Sequence, residues 1–198
     1  LLVVLLFALG WTIGNRIVLP LRNATSVADA IARGRLDNDI RQNSRDEPGQ
    51  LLGSMRRMQE QLQAVIAAQR EMERQHEAGI ISYRMDASTF PGDYGVMVAG
   101  TNQLVADHIG VKMQIIELAQ RYAIGDLNDD MPQLPGEKAE ITATMATIKR
   151  NLVAISEAIK QLSGAAAKGD FSQRGDEGRF EHAFHDMVHN LNTMIETT

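Results

Sequence analysis

The chain contains no cysteine. That excludes disulfides and thiolate metal sites, and it suits a reducing compartment. Aromatic side chains make up 5% of the residues, with a single tryptophan, too few for a rounded core built on Phe and Trp. Proline is scarce at five residues, and clusters of Val, Thr and Tyr of the kind that mark strands do not occur. An excess of positive charge is missing too. The net charge of −5 is mild and spread along the chain, with no basic stripe to neutralise phosphates, so nucleic acid is not an expected partner. No Ser-His-Asp set, phosphate loop or catalytic carboxylate pair stands in an interpretable context, so neither enzymatic activity nor a cofactor or metal is expected. What remains is a chain of 198 residues, 44% hydrophobic, dominated by helix formers such as Ala, Leu, Met, Gln, Glu and Arg.

Leu1 to Gly14 is apolar apart from Thr12, and Arg16 closes the run. As a helix it spans about 22 Å at 1.5 Å per residue, short of the ~30 Å hydrocarbon core. A signal peptide would carry its charges before the run; here Arg16 and Arg22 follow it, with Trp11 near the edge. Residues 1–15 therefore read as the C-terminal part of a transmembrane helix, and the positive flank places everything after Arg16 in the cytoplasm. Gly10 and Gly14 form a Gly-x-x-x-Gly step that lets such helices approach closely.

A repeat of about 45 residues runs through the rest of the chain. Gly34-Arg35-Leu36, Gly79-Ile80-Ile81, Gly125-Asp126-Leu127 and Gly169-Asp170-Phe171 recur at intervals of 45, 46 and 44 residues. Six residues after each glycine come Ile40, Met85 and Met131, whereas the fourth copy has Gly175 and breaks the pattern. Counting back from each glycine gives apolar residues at alternating steps of four and three, a heptad seam. Before Gly169 it reads Ala166, Leu162, Ile159, Ile155, Leu152, Ile148, Met145 and Ile141. The other copies keep that register with polar interruptions at Gln69, His76, Thr101 and His108, and a last seam runs from Phe180 to Met194. So narrow a stripe must meet other helices. Each copy then reads as helix, connector, helix, the second helix of one copy being the first of the next. The glycine ends the first helix in a left-handed cap, and the connector runs back along the bundle to bury residues such as Leu36 and Ile40.

With these residues in view, the sequence resembles HAMP domains, the linkers of bacterial chemoreceptors, sensor kinases and cyclases. The marks are Pro20 early in the first helix, Gly34-Arg35-Leu36 opening the connector and Asp46-Glu47-Pro48-Gly49 opening the second helix. Pro48 stands where the family usually has an apolar residue. Gly92-Asp93, Gly136-Glu137 and Glu177-Gly178 are the later equivalents, and Gly169 to Arg174 with Phe180, Phe184 and Asn190 to Met194 is similar to a methyl-accepting chemotaxis protein. The resemblance implies an all-α fold: a homodimer of coiled-coil-like, parallel four-helix bundles stacked in series after a transmembrane helix. The implied division is a HAMP domain at 16–78, then HAMP-like units at 51–119, 97–160 and 141–198 that share helices. The implied role is relay of a conformational change from a transmembrane sensor to a kinase-control module in chemotaxis, at the bacterial inner membrane. Signal coupling is then expected at Pro20, Gly34, Leu36, Ile40, Glu47, Gly49, Gly79, Gly125, Leu127, Gly169 and Phe171. A histidine kinase and an adaptor protein are expected partners only through regions outside this chain.

Other readings stay open. The same relay could serve a sensor histidine kinase or a cyclase. His182, His185 and His189 share a helix face beside Asp186, so the last unit could hold a metal or cofactor, although a solvated face is the simpler reading. Glu73-x-x-His76 matches one element of di-iron bundles, but no second such element occurs. A plain coiled-coil spacer would need no glycine-marked connectors.

Overall fold

The computed structural model describes residues 1–42 and 44–197; Thr198, the last residue of the expected fourth unit, lies outside them. Every regular element among the described residues is helical. The elements are α1 (Leu2–Ile13), a π-helical turn (Gly14–Val18), α2 (Leu19–Ala32), α3 (Glu47–Glu77), α4 (Asp93–Ala123), α5 (Ala139–Ala166) and α6 (His182–Glu196), with short 3₁₀ turns opening α5 and preceding α4 and α6. The chain divides into two compact units, Leu1–Asp107 and His108–Thr198, and α4 contributes to both.

The helix that holds the apolar segment continues past Arg16. Leu2–Ala32 is one helix of 31 residues, long and apolar enough to cross a membrane. Its first part buries nothing against the protein, and Trp11 is exposed at 73%. Pro20 explains the π turn. A proline in the interior of a regular helix would lack its N–H and press its ring on the Arg16 carbonyl. Widening the preceding turn, so that Leu19 N–H donates to the Gly14 carbonyl, lets the helix continue without a break.

Every other segment obeys one plan, two helices joined by a connector that travels backwards. In the first pair the connector meets α3 in reverse order: the Leu36 carbonyl accepts from Gln63, Asn38 from Gln59, and Asp46 caps the first turn through Gly49. The end of α2 therefore lies beside the middle of α3. Its start lies beside the first turns of α3, where Leu19 and Pro20 line a cavity with Leu52. α2 and α3 are parallel. The same reversal recurs between α5 and α6, where Arg174 faces Glu196 and Glu177 faces His189.

Each pair closes over its own apolar cluster. Ile40 packs with Ala24, Val27, Leu52 and Met55; Met85 with Val65, Met72 and Val98; Met131 with Leu118, Tyr122 and Met145. The fourth cluster joins Ala154, Ile155, Phe180 and Val188. Burying one Ile or Met side chain is worth about 1.5–3 kcal/mol, so the connector residue six positions after each of the first three glycines is a main support of its pair. In the fourth, Gly175 keeps that place without a side chain, because a Cβ there would lie 2.6 Å from the Val188 Cγ1.

The seam divides in a way that the heptad count alone does not show. Residues 7 and 14 before each later glycine are buried or half-buried, as with Met72 and Val65, Leu118 and Val111, and Leu162 and Ile155. Those 21 before, on the same line, are open: Met58 at 38%, Leu104 at 59% and Ile148 at 42% exposure. The N-terminal half of each long helix turns its neighbouring face (Leu52 in α3, Val98 in α4) towards its own connector. There the chain itself leaves the line through Met58, Leu104 and Ile148 open, while the adjoining seam residues Met55 and Met145 are buried.

Gly49 lets the first turn of α3 touch the connector. A Cβ on it would overlap the Ser44 carbonyl, whereas one on Gly110 in α4 would meet nothing within 4 Å. Gly49→Ala is expected to lower stability by about 1–3 kcal/mol, and Gly110→Ala to raise it by about 0.5–1 kcal/mol. Urea-unfolding midpoints that shift equally in both variants would contradict this close approach.

Candidate functional site

The connectors and their ends are where the sequence-derived residues meet. Gly34, Gly79, Gly125 and Gly169 have φ of 79°, 85°, 82° and 78°, the left-handed region that a side chain disfavours by about 1–2 kcal/mol. The same two hydrogen bonds follow each time. Gly34 N–H donates to the Ile31 carbonyl and Arg35 N–H to that of Ala30; Gly79 and Ile80, Gly125 and Asp126, and Gly169 and Asp170 repeat the pair. This double bond satisfies carbonyls that the helix end leaves open and turns the chain back.

Beyond the turn the remaining sequence-derived residues separate. Ile40 is buried at 5% exposure. Leu36 and Leu127 are half-buried, whereas Phe171 and Ile81 are open at 41% and 43%. Pro20 lines the cavity between α2 and α3, and Gly49 is buried in the first turn of α3, to which the exposed Glu47 adds an acidic group that favours the helix dipole. Pro48 is buried beside Gly49.

Short-range carboxylates fix the connectors. Asp46 accepts from the Ser44 hydroxyl and the Gly49 N–H, and those donors hold its carboxyl below the usual aspartate range. Ser88 does the same for Asp86, the Asn128 N–H for Asp126, and Ser172 for Asp170. Arg74 and then Gln75 bring Glu71 down to about 2.

Some of the ties have no counterpart in the sequence reading. The Asn102 amide accepts from Met85 N–H at 3.1 Å and donates to the Met85 carbonyl at 2.8 Å. The Asn192 amide does the same to Gly175 at 2.8 and 2.9 Å. Gln59 serves Asn38 at 3.3 and 3.0 Å. A signal was present: Asn102 and Asn192 both stand 23 residues after their glycines, and both clamp the residue at position six. Gly95, whose Cβ would lie 2.7 Å from the Phe90 carbonyl, is the counterpart of Gly49 that the spacing of the motif concealed.

Of the three histidines, His185 and His189 keep a shared face and His182 leaves it. His182 opens α6 with φ of 50°, which takes it off the helical spiral. His185 and His189 stack at 6.2 Å between ring centroids, and His189 Nδ1 lies 3.1 Å from Glu177. Glu177 titrates low, chiefly through the Asn192 amide and then His189. His76 donates from Nε2 to the Tyr83 carbonyl at 3.2 Å. No group of three or more His, Asp or Glu side chains among the described residues is placed to hold a metal ion.

Residues 12–64, which hold the π turn, α2, the first connector and the first half of α3, match the HAMP domain family. The chain contains a HAMP domain. A second HAMP match, to HAMP N-terminal domain 3, covers residues 111–153 and thus the connector that starts at Gly125. The chain is also similar to methyl-accepting chemotaxis protein McpB of Pseudomonas aeruginosa, with 32% identity over 152 residues, 71% of this chain and 22% of that protein. The chain thus spans about a fifth of the length of that relative.

The lowered carboxylates set an acid limit on this HAMP-containing chain. A carboxyl whose folded pKa lies below its unfolded value adds stability above the unfolded value, about 4, and loses it as pH falls through the folded one. The thermal midpoint is expected to stay level down to about pH 5 and to fall between about pH 4 and 2. Asp46→Asn keeps a competent cap but removes one titrating group, so its midpoint should fall less steeply over that window. An identical acid profile would contradict the assignment.

Proposed function

We propose that the chain is a signal relay of a chemotaxis receptor, carrying a conformational change from a transmembrane sensor towards a cytoplasmic kinase-control module. The observation that carries this reading is the unbroken helix Leu2–Ala32. Its apolar part buries nothing, and its last part, α2, packs Ala24 and Val27 into the first core. A shift, tilt or rotation of the apolar segment is thereby imposed on the core, because no flexible link lies between them to absorb it. The basic flank at Arg16 and Arg22 puts the rest of the chain on the cytoplasmic side of the inner membrane.

The relay is a homodimer in which two copies of each helix pair form a parallel four-helix bundle. In support, the uncovered apolar line at Met58, Leu104 and Ile148 lies beside the face that each helix uses for its own connector. Successive units occupy 16–78, 51–119, 97–160 and 141–198, and each bundle has two packings of similar free energy, so that a bias at one end passes along the shared helices. Pro20 and Glu47 couple the membrane segment to the first bundle, and the glycine-ended connectors, with Leu36, Ile40, Leu127 and Phe171, set the alternatives. The kinase and its adaptor act through other parts of the receptor.

The test uses the full receptor. Glu47→Ala and Pro20→Ala should each shift kinase output in the absence of stimulus by several-fold, and Glu137→Ala, in the 3₁₀ turn before α5, should shift it less. Unchanged output in both of the first two variants would contradict the coupling.

A further inference from the structure

Three of the four connectors are held by the same device, a side-chain amide that closes two hydrogen bonds on a single backbone residue. Gln59 is 6% and Asn192 7% exposed, Asn102 is half-buried, and every buried side-chain nitrogen or oxygen among the described residues has a partner. In each case the amide belongs to the second helix of its pair. The third connector reaches the same result by other means: Thr142 of α5 accepts from Leu134 N–H at 3.2 Å and donates to the Pro132 carbonyl at 3.0 Å. Lys149 adds a bond to the Asn128 carbonyl at 3.3 Å.

The ties to the first helix differ. In the second pair His76 donates to the Tyr83 carbonyl at 3.2 Å, and in the third Tyr122 donates to that of Asp129 at 2.9 Å. Both donors stand three residues before their glycine and both acceptors four after it. The first and fourth pairs have Ile31 and Ala166 at that position, side chains that can donate nothing.

We propose that Gln59, Asn102 and Asn192 are positioning residues that join each connector to the second helix of its pair as one body, so that motion passes between that body and the first helix, and that His76 and Tyr122 restrain this motion in the middle two pairs. This rests on the relay reading for its meaning but not for its geometry. An amide with both bonds made on one residue leaves the connector no independent travel along the second helix, since any slip strands a buried donor and a buried acceptor together. Beyond the glycine caps, no hydrogen bond among the described residues joins the first helix to its connector in the outer pairs, and an apolar face has no direction that fixes register. Tyr122 and His76 add such a direction.

Hydrogen exchange on the whole chain separates the possibilities. Asn102→Leu should speed exchange of the Met85 amide about fivefold or more, with the amides of α3 and α4 unchanged. Asn102→Asp keeps the acceptor for that amide, so its protection should be largely retained. Asn192→Leu should act likewise on Gly175. Tyr122→Phe, which removes one hydroxyl, should loosen the connector after Gly125, and in the full receptor it should move output. Unchanged Met85 and Gly175 amides in the leucine variants would overturn the clamp, whatever the output does. Altered exchange with unaltered output in every variant would leave the clamp standing and reject the relay.

Discussion

The structure depends on one constraint: two helices joined in sequence can lie parallel only if the chain between them travels back along most of their length. The return must begin abruptly at the end of the first helix, and an L-residue other than glycine resists the left-handed backbone that this takes. It must also gain enough burial to hold an irregular segment against a helix, which Ile40, Met85 and Met131 supply. Glycine and buried connector residue form one device. The seam, the caps and the shared helices are arranged around it.

This device makes the relay reading physical. Within the first unit α3, and within the second α5, carries two successive cores on a single helix. The polar ties then decide where slack exists. Amide clamps fasten three of the connectors to the helices that follow them, and among the described residues it is in the middle pairs that a side chain also hydrogen-bonds a connector to the helix that precedes it. A chain with apolar outer pairs and doubly tied inner ones distributes compliance unevenly, which a uniform coiled coil does not.

Much of this was legible in the residues. The glycine intervals located the caps, and the apolar residue six positions on located the buried connector seat in three pairs. Helical content followed from what the composition lacks. Other features lay beyond pattern. The heptad count treats Met58 and Met72 alike, but it is helix twist and the position of the connector that bury one and expose the other. Gly175 was a break in the pattern only because its side chain is missing; its backbone keeps the seat, held by Asn192 and closed over by Val188. Asn102 and Asn192 look like ordinary polar residues in a helix, since only the returning backbone reveals what they hold. The π turn before Pro20 was equally invisible, since the sequence shows the obstruction and not how the helix passes it.

The proposed relay requires that the apolar line left open by each chain be covered by the same line of a second copy in register. Single cysteines placed in turn from Met97 to Leu104 of the whole chain in membranes, oxidised briefly, measure this most directly. Covalent dimers are expected at Met97 and Leu104, with little at Gly100 or Gln103 between them. Equal crosslinking at every position, or none at Met97 and Leu104, would contradict it.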